Sequence, residues 1–247
     1  MHRSPLAILS DIHSNLDALE AVTAELDAAG VENVVCLGDV VGYAAYPEEC
    51  VNRVRQRGWH VVLGNHDDAL DNPLAKEQMN DVANAGILLA EKQVSADNRA
   101  WLGSLPMKLS RKHAVFTHAS LDFSEEWPYL NDVESALLHF LAQQIPLCFV
   151  GHTHRPMVIN WQGKSKLDIL IPSHEQIQLS HSGKTTVNVG SVGQPRDGDP
   201  RACFVLYFAH THHVEFRRIP YDVKSAQKAI RKAGLPPLAA RRLAQGF

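Results

Sequence analysis

With 247 residues, 45% of them hydrophobic and 21% charged, the chain has the make-up of an ordinary globular protein, long enough to bury a sizeable core. A formal net charge of -3 leaves no basic footprint for an extended nucleic-acid surface and no polybasic face for a membrane. No apolar run approaches the ~20 residues needed to cross a bilayer, and residues 1–5 lead into a strand without an apolar leader, so a cytoplasmic protein is expected. Cys36, Cys50, Cys148 and Cys203 form no CxxC pair, and two of them sit inside apolar runs, so buried free thiols are expected rather than disulfides.

In chain order, Leu6-Ala7-Ile8-Leu9 reads as a buried strand and is followed by Asp11 and His13. Residues 14–29 carry Leu16, Leu19, Val22 and Leu26 at helical spacing, with Ser14 or Asn15 available as N-cap and Gly30 as the stop. Val34-Val35-Cys36-Leu37 is a second strand, ending in Gly38-Asp39. Pro47, Glu48 and Glu49 suit a first helical turn, Val51 and Val54 give its buried stripe, and Gly58 closes it. His60-Val61-Val62-Leu63 is the third strand and runs into Gly64-Asn65-His66-Asp67. Successive strand–helix–strand units with right-handed crossovers imply a parallel sheet covered by helices.

An Ala-rich helix is expected from Pro73 to about Gln93, and a shorter one around residues 97–103 before a break at Pro106. The strand Ala114-Val115-Phe116-Thr117 leads to His118. Residues 119–130 then form an irregular stretch, well placed to cover a site at His118, with Trp127 expected to pack locally and Tyr129 beside it. Residues 132–145 are again amphipathic, and Leu147-Cys148-Phe149-Val150 leads to Gly151-His152-Thr153-His154. Beyond, short β segments near residues 167–171, 177–179, 186–189, 203–208 and 214–219 are expected to build a second, more antiparallel sheet. The tail, residues 223–244, reads as helix broken at 234–237. A cut anywhere between Asp11 and His154 would divide the motifs, so residues 1–247 read as a single domain.

Five strand ends thus carry carboxylate, amide or imidazole, and ligands of α/β proteins bind beyond the carboxyl ends of strands. Asp11, His13, Asp39, Asn65, His118, His152 and His154 are all oxygen or nitrogen donors, which suits Mn, Fe, Zn, Ni or Co. Seven are too many for one such ion and about right for two, with one carboxylate bridging. Two ions roughly 3.5–4 Å apart activate a water and clamp the attacking and leaving oxygens of a phosphoryl displacement. Alternation along an extended segment would put Asp11 with His13, and His152 with His154, on one side. Gly38, Gly64 and Gly151 would let the backbone turn beneath the ions. His66 stands beside Asn65, with Asp67 as the expected partner that keeps its imidazole protonated and oriented.

In this order, Asp11-Ile-His13, Gly38-Asp39, Gly64-Asn65-His66-Asp67, His118 and Gly151-His152-Thr153-His154 resemble the calcineurin-like metallophosphoesterase superfamily over residues 6–155. Residues 188–202, from Asn188 through Arg196 to Ala202, are similar to its small bacterial and archaeal phosphodiesterase-like branch. The resemblance implies an α/β fold, a four-layer α/β/β/α sandwich of two mixed β-sheets. It implies that Asp11, His13 and His154 bind a first metal, that Asp39 bridges, and that Asn65, His118 and His152 bind a second. His66 would stabilise the transition state or protonate the leaving oxygen, supported by Asp67.

Where the protein phosphatases of the superfamily have Asp-Arg-Gly after the bridging aspartate, this chain has Val40-Val41-Gly42-Tyr43, so Arg155 and Arg196 are the candidates for gripping phosphate. The expected activity is dinuclear hydrolysis of phosphodiesters or other small phosphorylated substrates, nucleotides among them, with two divalent ions and Mn favoured. The alternatives are a non-catalytic metal-binding scaffold, as in the retromer subunit of the superfamily, or a nuclease. Small relatives are often homo-oligomers, and the state of this chain is left open. Ser182-Gly183-Lys184-Thr185 and His210-Thr211-His212-His213 are read as turns rather than phosphate or metal motifs, and Arg217-Arg218 and Arg241-Arg242 as solvated faces.

Overall fold

The apolar runs become strands, and the caps between them decide where each helix starts. In the computed structural model, which describes residues 4–122, 124–163, 167–172 and 176–247, β1 (Leu6–Leu9) leads into α1 (Leu16–Ala28). Residues 1–3 of the expected amino-terminal lead-in and Phe123 of the irregular stretch lie outside the described residues. Asn15 is the cap of α1, its Oδ1 accepting the Ala18 N–H at 3.2 Å. Next come β2 (Val34–Cys36), α2 (Pro47–Gln56), β3 (His60–Val61) and α3 (Asn65–Asp68), a single turn that starts inside the Gly64–Asp67 motif.

The long helix expected from Pro73 is two helices, α4 (Pro73–Glu77) and α5 (Asp81–Gln93). Asn80 makes the break, accepting the N–H groups of Val82 and Ala83 at 3.1 Å each and so capping a new start. The chain continues through α6 (Ala96–Gly103), β4 (Lys108–Arg111), β5 (Ala114–Thr117), a 3₁₀ turn at Ser124–Glu126, α7 (Val133–Ala142) and β6 (Leu147–Val150). Then follow β7 (Met157–Trp161), β8 (Leu167–Leu170), β9 (Gln176–Gln178), β10 (Lys184–Asn188), β11 (Ala202–Phe208) and β12 (His213–Ile219), and finally α8 (Val223–Lys232) and α9 (Pro237–Gln245).

These strands form two six-stranded mixed sheets, ordered β3-β2-β1-β11-β12-β9 and β4-β5-β6-β10-β7-β8. The late strands therefore do not make a sheet of their own, as their sequence suggested. β9, β11 and β12 complete the sheet begun by β1, while β7, β8 and β10 complete the one begun by β5 and β6. The reason lies in β11, Ala-Cys-Phe-Val-Leu-Tyr-Phe, whose residues are apolar on both faces and almost all buried. Such a strand belongs in the middle of a covered sheet, and it pairs antiparallel with β1, Leu6 opposite Tyr207 and Ile8 opposite Val205.

Between the sheets pack Ile8, Val35, Phe116, Phe149, Val187 and Val205, with the rings of Phe116 and Phe149 stacked at 5.4 Å. On the outer face of the first sheet Leu9 and Cys36 meet Leu19 and Val22 of α1, Val51 of α2 and Ile87 of α5. α7 covers the second sheet, Phe140 stacking on Trp161 at 5.7 Å. Helix, sheet, sheet, helix is the four-layer order that the resemblance implied. All four cysteines are buried and free. Arg217 and Arg218 are not solvated faces: Arg218 pairs with Asp197, and Arg217 meets Glu215, two residues back on the same strand, at 2.8 Å. Among the described residues no helix is long and apolar enough to cross a membrane.

Candidate metal centre

β1, β2 and β3 run parallel in one sheet, and β5 and β6 run parallel in the other. Their carboxyl ends carry the expected ligands to one edge of the sandwich. Asp11 and His13 follow β1, Asp39 follows β2, Asn65 and His66 follow β3, His118 follows β5, and His152 and His154 follow β6. All but Asn65 are buried.

Five of the seven expected ligands adopt left-handed backbone: Asp11 (φ 56°), His13 (φ 49°), Asp39 (φ 54°), His152 (φ 63°) and His154 (φ 59°). The extended alternation expected for Asp11-Ile-His13 and His152-Thr-His154 is thus replaced by paired left-handed turns. Such conformations are uncommon outside glycine and cost of order 1–3 kcal/mol each, persisting where the surroundings hold them. Here the loops after β1 and β2 are laced together: the N–H of Asp11 bonds Gly38 O at 3.1 Å, that of His13 bonds Asp39 O at 2.9 Å, and that of Ser14 bonds Val40 O at 2.9 Å. Of the expected turn glycines only Gly38 (φ 90°) is left-handed; at Gly151 the need is space, since a Cβ would overlap Ser10 Oγ and Asp11 Oδ2.

Backbone carbonyls fix the imidazole tautomers. His13 Nδ1 donates to Val41 O (3.1 Å), His118 Nδ1 to Leu37 O (2.8 Å) and His154 Nδ1 to Gln194 O (2.6 Å). A carbonyl only accepts, so each Nδ1 carries the proton and each Nε2 presents a lone pair inward. His13 Nε2 lies 3.0 Å from His154 Nε2, and His118 Nε2 lies 3.0 Å from His152 Nδ1 and 3.1 Å from Asn65 Oδ1. Asp11 Oδ1, 3.2 Å from His154 Nε2, is buried without a hydrogen-bond donor. Asp39 Oδ2 stands between the two groups, 3.4 Å from His118 Nε2 and 3.6 Å from His13 Nε2. Lone pairs and carboxylates that converge in this way, out of water, fit divalent cations. Three sets of donors lie within 4.8 Å of one another: Asp11, His13 and His154; Asp39, His118 and His152; and His13, Asp39 and His66.

The electrostatics agree. Burial acts to raise both aspartates, yet His154 beside Asp11 and His118 beside Asp39 outweigh it and hold both carboxyls well below the usual range. Burial lowers His118, but Asp39 more than reverses this and raises it to about 9, marking its inward nitrogen as a strong acceptor of positive charge. Burial and neighbouring His118 push His152 down to about 3. His66 is pushed well below the ordinary histidine range by burial.

Asp67 requires a correction. Its Oδ1 accepts the N–H groups of Val40 (2.9 Å) and Val41 (3.1 Å), its Oδ2 that of Gly64 (3.3 Å), and no hydrogen bond joins it to His66. Burial and the charge of Asp39 raise it to about 7. It acts on the loop that carries Val41 O, and through it on His13. The ring of His66 is held instead by Tyr43 and His13, each with its centroid 4.7 Å away. Asp39 Oδ1 accepts the backbone N–H of His66 at 2.8 Å.

Of the two arginines, Arg196 reaches the site's rim: its Nη2 donates to Gln194 Oε1 (3.0 Å) and Tyr43 OH (3.3 Å), and its guanidinium lies 5.7 Å from the Tyr43 ring centroid. Arg155 is exposed and braces Arg196 from behind, its Nε donating to Arg196 O at 3.0 Å. Trp127 is buried, edge-on to His118 at 5.7 Å and lining the cavity before the site, and Tyr129 stacks on His152 at 4.0 Å.

Several residues that build the site carried no sequence signal of their own. Tyr43 is one. Asn188 is another, its Nδ2 donating to Gly151 O (2.6 Å) and Thr153 Oγ1 (3.0 Å) beneath the two histidines. Ser191 Oγ donates to Asp11 O at 2.9 Å. Asn15, legible in sequence as the cap of α1, also donates from Nδ2 to Gly193 O at 2.8 Å. Only the likeness of the segment containing Asn188 to one branch of the superfamily hinted that it belonged here.

A layered sandwich of two mixed sheets, with buried carboxylates and imidazoles converging where strands of both sheets end, defines a metal-dependent phosphoester hydrolase. The chain belongs to the calcineurin-like phosphoesterase superfamily, whose domain model matches residues 5–212. It is similar to the uncharacterized protein MJ0912 of Methanocaldococcus jannaschii, 36% identical over 252 residues that cover all of both chains. The crystal structure of a metallophosphoesterase from Sphaerobacter thermophilus is also 36% identical and superposes with a TM-score of 0.85 over 99% of both chains. The hypothetical protein PH1004 of Pyrococcus horikoshii, 20% identical with a TM-score of 0.76 over 98% of both chains, shares the fold.

Proposed function

We propose that the centre is dinuclear and that the enzyme hydrolyses phosphodiesters or other small phosphorylated substrates, with Mn as the favoured ion. The observation that carries this reading is Asp39, whose Oδ2 lies within 3.6 Å of histidine nitrogens from both donor groups, as a bridging carboxylate requires. Asp11, His13 and His154 would hold one ion, and Asn65, His118 and His152 the other. When bound, two divalent ions supply Lewis acidity to the phosphoryl oxygens and a nucleophilic water at neutral pH.

The chain's own residues do the rest. His66, seated between Tyr43 and His13 and lining the cavity in front of the site, is not held protonated as its sequence context suggested, since burial lowers it; it serves the leaving oxygen through a ring N–H hydrogen bond that stabilises the charge developing there. Arg196, held by Gln194 and Tyr43, grips a non-bridging oxygen in place of the arginine that this chain lacks after Asp39. Asp67 and Arg155 are positioning residues, one for the Val40–Val41 backbone and the other for Arg196. The protein works in the cytoplasm, on a substrate that reaches it free in solution.

Metal-stripped protein titrated with Mn, counted by mass spectrometry and assayed on bis-p-nitrophenyl phosphate and p-nitrophenyl phosphate, tests this reading. Two equivalents per chain and restored turnover are expected. One equivalent at full activity overturns the dinuclear centre. His66→Gln is expected to slow esters of poor leaving groups by about 10²–10⁴ and p-nitrophenyl esters less; an equal loss on both removes His66 from its role at the leaving oxygen.

A further inference from the structure

In front of His66 the protein leaves a cavity of about 280 Å³, bounded by α4 and α5 on one side and by residues 126–129 on the other. Its chemistry differs from that of the rim where Arg196 sits. Gln78 and Asn80 contribute amides, Tyr43, Trp127 and Tyr129 aromatic surface, and Glu126 a carboxylate. No lysine or arginine lines it among the described residues. The cation on the adjoining helix, Lys76, is engaged with Glu91 at 2.6 Å. Arg196 lies against the Tyr43 ring and bonds its hydroxyl, so the cationic and amide–aromatic compartments meet at this tyrosine.

The leaving group of a phosphoester must lie on the side of the residue that donates to its oxygen. Resting on the role of His66 proposed above, that side is this cavity. Beyond the end where Asn65 and His152 stand, a second phosphate or a carboxylate would lose its water in a partly enclosed space, find no lysine or arginine in the walls to pair with, and face Glu126. A sugar, an aryl alcohol or a similar uncharged group would find amides for its hydroxyls and ring faces for its apolar surface. We infer that the cavity between α4–α5 and residues 126–129 is the leaving-group subsite, and that it selects phosphate esters of uncharged or cationic alcohols, Glu126 excluding anionic ones.

Three aryl phosphates of similar shape test this: phenyl phosphate, 4-carboxyphenyl phosphate and 4-(trimethylammonio)phenyl phosphate, assayed with Mn-loaded protein. The kcat/KM for the carboxyphenyl ester is expected to be at least about tenfold below that for the phenyl ester, with the trimethylammonio ester at or above the phenyl ester. Glu126→Lys should move the ratio of carboxyphenyl to trimethylammonio turnover by about 10²-fold toward the anion. Calorimetric binding of benzylphosphonate and 4-carboxybenzylphosphonate should show the same order and the same reversal without turnover. Equal rates across the series, or a ratio unmoved by Glu126→Lys in a variant that keeps its metal content, overturns the subsite while leaving the hydrolase reading intact. Failure to hydrolyse any of the three, together with bis-p-nitrophenyl phosphate, overturns both.

Discussion

Two ends of the first sheet are rich in histidine, and among the described residues only one of them gathers the donors that a metal ion needs. Since Leu6 pairs with Tyr207, the hairpin between β11 and β12 lies at the opposite end of β1 from Asp11. At that hairpin both nitrogens of His212 are already engaged, Nδ1 by Tyr207 OH at 3.2 Å and Nε2 by Ser180 O at 3.0 Å. His213 stacks on Phe208 at 4.5 Å and meets Thr211 Oγ1 at 2.7 Å. At the site end, by contrast, each of three rings uses a carbonyl to fix one nitrogen and leaves the other bare, facing carboxylates. What differs is convergence: His213 Nε2 also faces a carboxylate, Glu215 at 3.7 Å, but that acid is already paired with Arg217, and among the described residues no second imidazole joins it. His139 shows a third arrangement, buried and satisfied on both sides: its Nδ1 accepts Leu121 N–H (3.1 Å) and its Nε2 donates to Thr186 Oγ1 (2.9 Å), which donates on to Gln143 (3.0 Å).

The sharpest way to break this comparison is to remove a converging group. Asp39→Asn should lower turnover by about 10³-fold, since the metal pair is worth several kcal/mol of charge stabilisation, and should lower metal content by mass spectrometry. Retention of both would show that convergence on Asp39 is not what distinguishes the two ends.

His139 should report through stability. Burial lowers it from 6.5 to about 4, so between those values the unfolded chain binds a proton that the folded one does not. Its contribution is fully present above pH 6.5 and shrinks as pH falls toward 4, by about 3 kcal/mol at 1.36 kcal/mol per unit. Urea unfolding of wild type and His139→Gln should therefore converge by that amount between pH 7 and pH 4, and a constant difference would contradict the assignment.

A smaller effect is expected at Asn188. Asn188→Ala removes the support of Gly151 and Thr153 and should weaken Mn binding by roughly tenfold in a calorimetric titration, the low end for residues that orient ligands. His212→Ala is the smallest: metal stoichiometry unchanged and turnover within about twofold, since its nitrogens serve only the hairpin.

The legibility of the two ends in sequence follows the same division. The ligands could be read because each stands directly after an apolar strand and its side chain does the chemistry. Tyr43, Ser191 and the carbonyl of Gln194 could not, because they act by packing or through backbone atoms that any residue type supplies. Strand identity was legible for β11 and its apolar run, but its neighbours were not, since register is decided by tertiary packing. β4, Lys-Leu-Ser-Arg, is an edge strand with mostly exposed side chains and gave no pattern, and β7 follows the last ligand motif too closely to stand out. Asn80 did carry its signal, an N-cap followed by Asp81, which the alanine-rich run around it masked.

The pairing of β1 with β11 sets a timetable. On the ribosome His154 emerges some forty residues before Gln194, whose carbonyl fixes its ring, and before Ser191, which secures Asp11 from across the sequence. A nascent chain can thus contain every ligand and still lack the residues that anchor Asp11 and His154, because the segment leading into the central strand β11 has yet to be made. The shape of the centre is therefore a property of the whole fold, resting on contacts that reach from Asp11 to Ser191 and from His154 to Gln194.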